Sequence, residues 1–179
     1  MGLFEELFRE HKVIKKWNIY SNYKAIIIAN MGGFLKGYIG VPPESVLHGK
    51  RAKSCINEIP KEYLNKEGKK LSNIIGDIKS IKVHGGVTSS WECKDGEFEK
   101  GYWFFEFHTS HDSDLHSKEI IFKYFNEEKE LLRASEVFYE YQRYSKIRGA
   151  THKDLNYVIA ECEALASQLT NIELKYKDV

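Results

Sequence analysis

The chain has 179 residues, of which 42% are hydrophobic and 13% aromatic, so it can bury a core and is not globally disordered. With 27 basic and 26 acidic residues the net charge is +1, which excludes a general attraction to nucleic acid or to an anionic membrane. The three scattered cysteines form no CxxC pair, so they indicate neither a thiolate zinc site nor a disulfide framework.

The first segment, LFEELFREHKVIKKW, has mostly helical spacing of its apolar residues and predicts an amphipathic helix over residues 3–17. We expect one domain over residues 1–179, with this helix as part of it or as an appendage. The acidic start does not suit a signal peptide, and the apolar run AIIIANMGGFL is too short to span a bilayer. The sequence therefore predicts a cytoplasmic protein without a membrane partner, and it leaves a homo-oligomer open.

Two hairpins are predicted next. YKAIIIAN and FLKGYIGV read as strands around an MGG turn, and PPESVLHGKR follows as a loop. Residues 51–80 are weakly patterned and predict short helices or irregular structure. IKVHGGVTSSW reads as a strand weakened by two glycines, Asp95-Gly96 marks a turn, and GYWFFEFHTS is the clearest strand in the chain.

The C-terminal third is predicted to end in a helix. KEIIFKYF and SEVFYEYQRY suggest strand or mixed structure, while THKDLNYVIAECEALASQL has a clear helical stripe with Thr151 as its cap and Asp154 as the capping-box acid. IELKY is predicted as an edge strand. The order of elements lacks a βαβ rhythm, so we expect an α+β fold with a mainly antiparallel sheet and helices from both ends of the chain on one face.

Histidines and aspartates concentrate at one end of the second predicted hairpin. With Gly96 as the centre of the hairpin, His84 lies twelve residues before it and His108 twelve after it. His84 and the segment HTSHDSD, residues 108–114, therefore share the open end. Strand alternation places Trp103, Phe105 and Phe107 on a core face and Tyr102, Phe104, Glu106 and His108 on the other, which resembles the wall of a ligand pocket.

This pattern favours a small-molecule site, with His84, His111 and Asp114 as catalytic candidates. Structural alternatives remain open, because half-buried histidines, a Gly-Gly bulge and an Asp-Ser turn are all ordinary features of sheets. The segment from Gly37 to Lys50 supplies a second wall. The residues expected to bind ligand are Tyr38, His48, Lys50, His84, Gly85, Gly86, Thr88, Glu106, His108, His111 and Asp114.

We expect no metal and no cofactor from the sequence alone. His84, His108, His111 and Asp114 are suitable metal ligands, but their spacing matches no established motif, and HEXXH is absent. The chain also lacks the repeated His-x-Ser/Thr pattern of two-histidine phosphoesterases, a nucleophile elbow, and the GXXXXGK and GXGXXG loops. Imidazoles that donate hydrogen bonds to phosphate oxygens would instead bind more weakly as the pH rises and histidine loses its proton.

The quoted motifs together resemble a family of small phage and prophage proteins. GYIGVP, HGGVT, the aromatic strand ending in HTSHDSD and the helix with YVIAEC resemble its Gly-Tyr-x-Gly-Val-Pro, His-Gly-Gly-Leu-Thr, Ala-His-x-Gly-Asp and Tyr-Val-x-x-Glu-Cys segments. His84, Gly85, Gly86, Thr88, His111 and Asp114 match this pattern. His108 stands where the family tends to have Asp, and Ser113 stands where it has Gly.

The resemblance implies a phage context more than an activity. By analogy with other small phage proteins, it suggests an anti-defence protein that sequesters a nucleotide-like or phosphorylated host signal. A phosphodiesterase-like hydrolase that uses the same His and Asp residues is the second interpretation. A protein-binding inhibitor of a host defence protein is the third.

Overall fold

A five-stranded antiparallel sheet is the main element of the fold, with strand order β1-β2-β3-β5-β4. It is seen in a computed structural model that describes residues 11–20, 22–51, 66–94, 98–111, 114–115, 117–125 and 151–177. The expected α+β class is confirmed. The strands of the sheet are β1 (His11–Ile19), β2 (Tyr23–Asn30), β3 (Phe34–Val41), β4 (Ser89–Glu92) and β5 (Trp103–His108). The other described elements are a parallel pair of β6 (Asp114–Leu115) with β7 (Thr151–His152), and the helices α1 (Lys66–Lys79), α2 (Lys118–Tyr124) and α3 (Leu155–Lys177).

The first predicted hairpin is confirmed as β2 and β3. Seven of the eight β2 residues are buried, as are seven of the eight in β3, which explains the long apolar runs of both strands. The MGG turn closes with Gly33 at φ 81° and its N–H donating to the Asn30 carbonyl at 2.9 Å. The predicted loop after β3 is also correct, because residues 42–51 are in turns or coil.

The second predicted hairpin is present, but its first strand is shorter than expected. β4 covers only Ser89–Glu92, so His84 lies outside the ladder in the segment before it. The pairs run from Ser89 opposite Glu106 to Glu92 opposite Trp103, and the paired numbers always add to 195. If that register were continued, residue 84 would stand opposite residue 111, where the sequence had placed it opposite His108. The two glycines after His84 end the ladder before that point.

The predicted alternation along β5 is only half correct. Phe105 and Phe107 are fully buried as expected, but Phe104, assigned to the pocket wall, is also 0% exposed. β5 lies between β3 and β4 in the sheet, and an aromatic cluster covers its second face. The Phe104 ring stacks on Trp91 at 5.5 Å and meets Phe98 edge-on at 5.1 Å. This stretch of the predicted wall is therefore core.

The N-terminal helix predicted over residues 3–17 is wrong where the structure describes it, because residues 11–19 form β1. Residues 1–10 lie outside the described part. β1 is an edge strand beside the buried β2, and its three lysines, Lys12, Lys15 and Lys16, suit an edge that must not pair with another chain. Sheet pairing outweighs the local helical spacing here.

Helix α2 lies in a segment that was predicted as strand or mixed structure. KEIIFKY folds as a helix because Ser117 caps it, with Ser117 Oγ accepting the Ile120 N–H at 3.4 Å. Ile120 and Ile121 are the buried residues of this helix. The prediction for SEVFYEYQRY falls on residues outside the described part.

Helix α3 is confirmed, with two corrections at its ends. Val158, Cys162, Leu165, Ala166 and Leu169 are all 0% exposed, as the helical stripe predicts, whereas Leu155 is only half-buried. The cap is Asp154, whose Oδ1 accepts the Tyr157 N–H at 2.8 Å, while the predicted cap Thr151 belongs to β7. IELKY continues the helix to Lys177 and forms no edge strand, because Ile172 and Tyr176 extend the buried stripe.

Contacts within the chain cluster into two compact units that alternate along the sequence. Of the residues that the structure describes, one unit takes in those within 11–16, 26–37 and 108–160, and the other those within 17–25, 38–107 and 161–177. In the first, Thr109 and Leu35 exchange hydrogen bonds, and the Ser117 N–H donates to the Gly33 carbonyl at 2.7 Å. In the second, the Tyr23 hydroxyl donates to Glu173, and Lys175 pairs with Asp77 at 2.6 Å.

None of the helices that the structure describes has the length and apolar character needed to cross a membrane.

Candidate functional site

The histidine-rich segment after β5 is folded onto itself. The rings of His108 and His111 stack with centroids 4.6 Å apart and planes inclined by 23°. Ser110 Oγ lies 2.8 Å from His108 Nδ1, so the hydroxyl orients that ring. Both imidazoles are half-buried. The segment therefore presents two histidines side by side at the end of a rigid strand.

Asp114 is the only buried charged side chain among the described residues, with 2% exposure. Its Oδ2 accepts the backbone N–H of His111 at 2.9 Å, and its own N–H donates to the His111 carbonyl at 2.9 Å. Its backbone also pairs with Thr151 in the β6–β7 ladder. Burial of a carboxylate is costly unless hydrogen bonds or charge compensate it. A fold that buries this group and fixes it to His111 holds the two in one geometry.

His84 lies in a tight turn that two glycines create. Gly85 and Gly86 adopt φ angles of 68° and 78°, which residues other than glycine rarely adopt. The Gly86 N–H donates to the Val83 carbonyl at 2.8 Å. The His84 N–H donates to Glu161 Oε2 at 2.7 Å. A Cβ added at Gly86 would meet nothing within 4 Å, so there is open space two residues after the half-buried His84.

Three of the predicted residues come together. One imidazole nitrogen from each of His84 and His111 and one carboxylate oxygen of Asp114 all lie within 4.8 Å of one another. We call these three residues the histidine–aspartate group. They are the residues that the sequence named as catalytic candidates, and His108 adjoins the group through its stacking on His111. Their chemical role stays a prediction.

The group can act in two ways. Imidazole nitrogens can donate to, or exchange protons with, an anionic ligand, and the carboxylate can hold an imidazole in place. Two nitrogens and one oxygen are also a common set of ligands for a transition-metal ion.

Tyr38 belongs to the aromatic cluster, and Glu106 lies at its border. The Tyr38 ring is 4% exposed and meets Phe98 edge-on at 5.2 Å, and burial together with the Glu106 charge raises the pKa of its hydroxyl. Glu106 Oε2 accepts from Ser89 Oγ at 2.8 Å across the β4–β5 pair. The contacts of Tyr38 are those of a core residue.

The remaining predicted ligand-binding residues make backbone contacts that support the fold. His48 Nε2 lies 2.9 Å from the Gly101 carbonyl, and its ring leans on Trp103 with centroids 5.8 Å apart. The Lys50 carbonyl accepts Trp103 Nε1 at 2.9 Å. Thr88 binds the Glu106 carbonyl through both its N–H and its hydroxyl. These contacts fix the predicted second wall to the sheet.

Cys93 and Cys162 are free and buried, and burial raises the pKa of the Cys162 thiol to about 12. A thiol so reluctant to ionise is a packing group, because the thiolate is the form that attacks or binds metal. Cys55 lies outside the described residues.

Sequence reasoning missed the residues of α3 that hold the His84 segment. Glu161 accepts the His84 N–H. The side-chain amide of Gln168 accepts from the backbone N–H of Lys82 and donates to its backbone carbonyl, both at 2.9 Å. The only local signal was a polar residue beside the apolar stripe of the helix, which is common on amphipathic helices. Their partners lie more than seventy residues away in sequence.

Models of known protein families, curated proteins and solved structures were each compared with this chain, and none of them matches it.

Proposed function

We propose that this protein is a phage-encoded anti-defence protein that binds a small phosphorylated or nucleotide-like ligand at the histidine–aspartate group. The observation that carries the proposal is the convergence of His84, His111 and Asp114 within 4.8 Å. The phage context rests on the motif resemblance. The ligand class rests on the chemistry of paired imidazoles, which bind phosphate oxygens through charge-assisted hydrogen bonds.

The arrangement supports a recognition site because its parts are fixed in advance. His111 is held by its stacking on His108 and by its backbone bond to Asp114, and His84 is held through Glu161. A site ordered before binding loses less conformational entropy when its ligand arrives. The proposed action is sequestration, which means that the protein binds the ligand and the ligand is chemically unchanged when it is released.

Hydrolysis of the same ligand is the second candidate. It is favoured by the composition of the group, because two imidazoles and a carboxylate can provide a general base and a general acid around one phosphate. In this alternative one histidine removes a proton from water and the other gives a proton to the leaving oxygen. Sequestration and hydrolysis differ in the chemical state of the ligand that is recovered.

The deciding experiment incubates the purified protein with a panel of cyclic dinucleotides and ADP-ribose derivatives. Unbound compound is removed by gel filtration, the protein is denatured by heat, and the released material is identified by chromatography. Intact ligand supports sequestration, and altered ligand supports hydrolysis. If the protein retains or alters no member of the panel, the nucleotide class is wrong.

Variants connect the result to the site. His84→Ala and His111→Ala should each lose retention, while His11→Ala, at an exposed position in β1, should retain the compound as the wild type does. The melting temperatures of the site variants should stay within a few degrees of the wild type, since neither residue belongs to the buried apolar core. A loss of several kcal/mol in both, the size of a large core defect, would make the two histidines structural.

A further inference from the structure

We propose that the histidine–aspartate group is a binding site for one divalent transition-metal ion of the zinc class. The inference deepens the proposed function and rests on it only for the identity of the last ligand, a phosphate oxygen. It departs from the metal-free expectation drawn from the sequence, because that expectation depended on spacing along the chain. In the folded chain the three residues are neighbours although twenty-seven positions separate His84 from His111.

The dimensions of the group suit such an ion. Zinc lies about 2.0–2.2 Å from imidazole nitrogen and carboxylate oxygen, so the ligand atoms of a tetrahedral site stand about 3.4 Å apart. The ligand atoms here lie within 4.8 Å of one another, and small side-chain rotations close the remaining gap. The turn at Gly85 and Gly86 carries His84, one of the three ligands.

The chemistry of the ligands selects the class of ion. Magnesium and calcium take oxygen ligands almost exclusively, whereas imidazole suits zinc, cobalt and nickel. Three protein ligands leave a fourth tetrahedral position open, the arrangement of sites that bind an exchangeable water or substrate oxygen. An ion also resolves an electrostatic conflict. A buried Asp114 carboxylate would repel a phosphate in the same site, and a divalent cation between them would attract both.

The neighbouring residues support this role. Metal-binding histidines are usually oriented by partners outside the ligand set, and here the His111 ring stacks on His108. Glu161 holds the backbone of His84. The positions of the ligands are therefore set by three separate elements of the fold, namely the turn before β4, the segment after β5, and α3.

The test uses untagged full-length protein that has been stripped with a chelator and then titrated with Zn²⁺ in a calorimeter. We expect one ion per chain, no comparable binding of Mg²⁺, and a visible absorption band with Co²⁺ that is typical of tetrahedral coordination. His84→Ala, His111→Ala and Asp114→Asn should each weaken Zn²⁺ binding by tenfold or more, and His11→Ala should not change it. Circular dichroism and the melting temperature of the metal-free variants establish that they fold.

Absence of stoichiometric Zn²⁺ binding by the wild type overturns the inference. Equal binding by the wild type and the folded variants also overturns it, because the ion would then lie elsewhere. If Asp114→Asn does not fold, the two histidine variants decide. The panel of nucleotides is then applied to the zinc-loaded protein. Zinc binding without nucleotide retention keeps the inference and rejects the proposed function, so the two failures can be told apart.

Discussion

Replacing Gly40 by alanine should destabilise the protein because the sheet has no room for a methyl group there. A Cβ at this position would lie 2.5 Å from Cε1, 2.7 Å from Cζ and 3.0 Å from Cδ1 of Phe104. An ordinary contact needs at least 3.4 Å, so the ring would have to move by about 1 Å. It cannot do so easily, because Phe104 is fully buried and its ring is surrounded by Trp91, Phe98 and Tyr102.

The magnitude follows from two opposing effects. Overpacking a rigid core costs typically 1–3 kcal/mol, and a clash with an immobile ring belongs at about 3 kcal/mol. Alanine in place of glycine within a strand returns roughly 1 kcal/mol through the lower entropy of the unfolded chain. The net loss in the free energy of unfolding is therefore about 2 kcal/mol. For a chain of this size, that lowers the melting temperature by roughly 4–8 °C.

Urea denaturation followed by circular dichroism measures this loss directly, and Gly76→Ala is the matched control. Gly76 lies inside α1, where an added Cβ meets nothing within 4 Å, so the same chemical change should stabilise the protein by up to about 1 kcal/mol. In the Gly40→Ala background, Phe104→Leu should cost less than it does alone, because the smaller side chain relieves the clash. The reasoning is refuted if Gly40→Ala is as stable as the wild type.

Three further predictions concern α3. Val158→Asp should unfold or aggregate the chain, because it buries an unpaired carboxylate at a position with no exposure. The control, Asn156→Asp at an exposed position, should be soluble. Equal melting temperatures of the two variants would contradict the assignment of the buried face. Asp154→Ala should lower the free energy of unfolding in urea by about 1 kcal/mol through loss of the helix cap, and a larger effect from Thr151→Ala would restore the sequence-based cap. Burial raises the pKa of the Cys162 thiol from 9.0 to about 12. Its contribution to stability is therefore complete below pH 9.0 and is lost as the pH rises toward about 12. Iodoacetamide should label this thiol only after unfolding, and rapid labelling of the native protein would contradict its burial.

The candidate site could be located from the sequence but not assembled from it. The Asp95-Gly96 turn and the aromatic strand were enough to predict that His84 and residues 108–114 lie at the same end of a hairpin. His84 does lie close to His111 and Asp114, although the register of the hairpin differs from the expected one. The sequence could not distinguish His108 from His111 as the partner of His84. That choice depends on where β4 ends, and the ladder ends because Gly85 and Gly86 turn the backbone away.

The predicted second wall illustrates a different limit on inference from residue type. Tyr38, His48 and Lys50 have side chains that suit a ligand. Yet the Tyr38 ring packs in the aromatic cluster, and the His48 ring meets a backbone carbonyl of the loop before β5. Lys50 contributes its own backbone carbonyl, which accepts the N–H of the Trp103 ring. Polar and aromatic groups have the same chemistry in a core as in a pocket. Which of the two they serve depends on the residues that the fold brings against them.

The sequence by itself determined the α+β class, the β2–β3 hairpin, β5 and the buried stripe of α3. These features are local, because runs of apolar residues, turn glycines and a period of 3.6 act between residues that are close in the chain. Only the tertiary structure decided that residues 11–19 form an edge strand, that both faces of β5 are covered, and that His84, His111 and Asp114 meet. Each of these depends on pairing and packing between distant segments, where the gain from burial and sheet hydrogen bonds outweighs local preference.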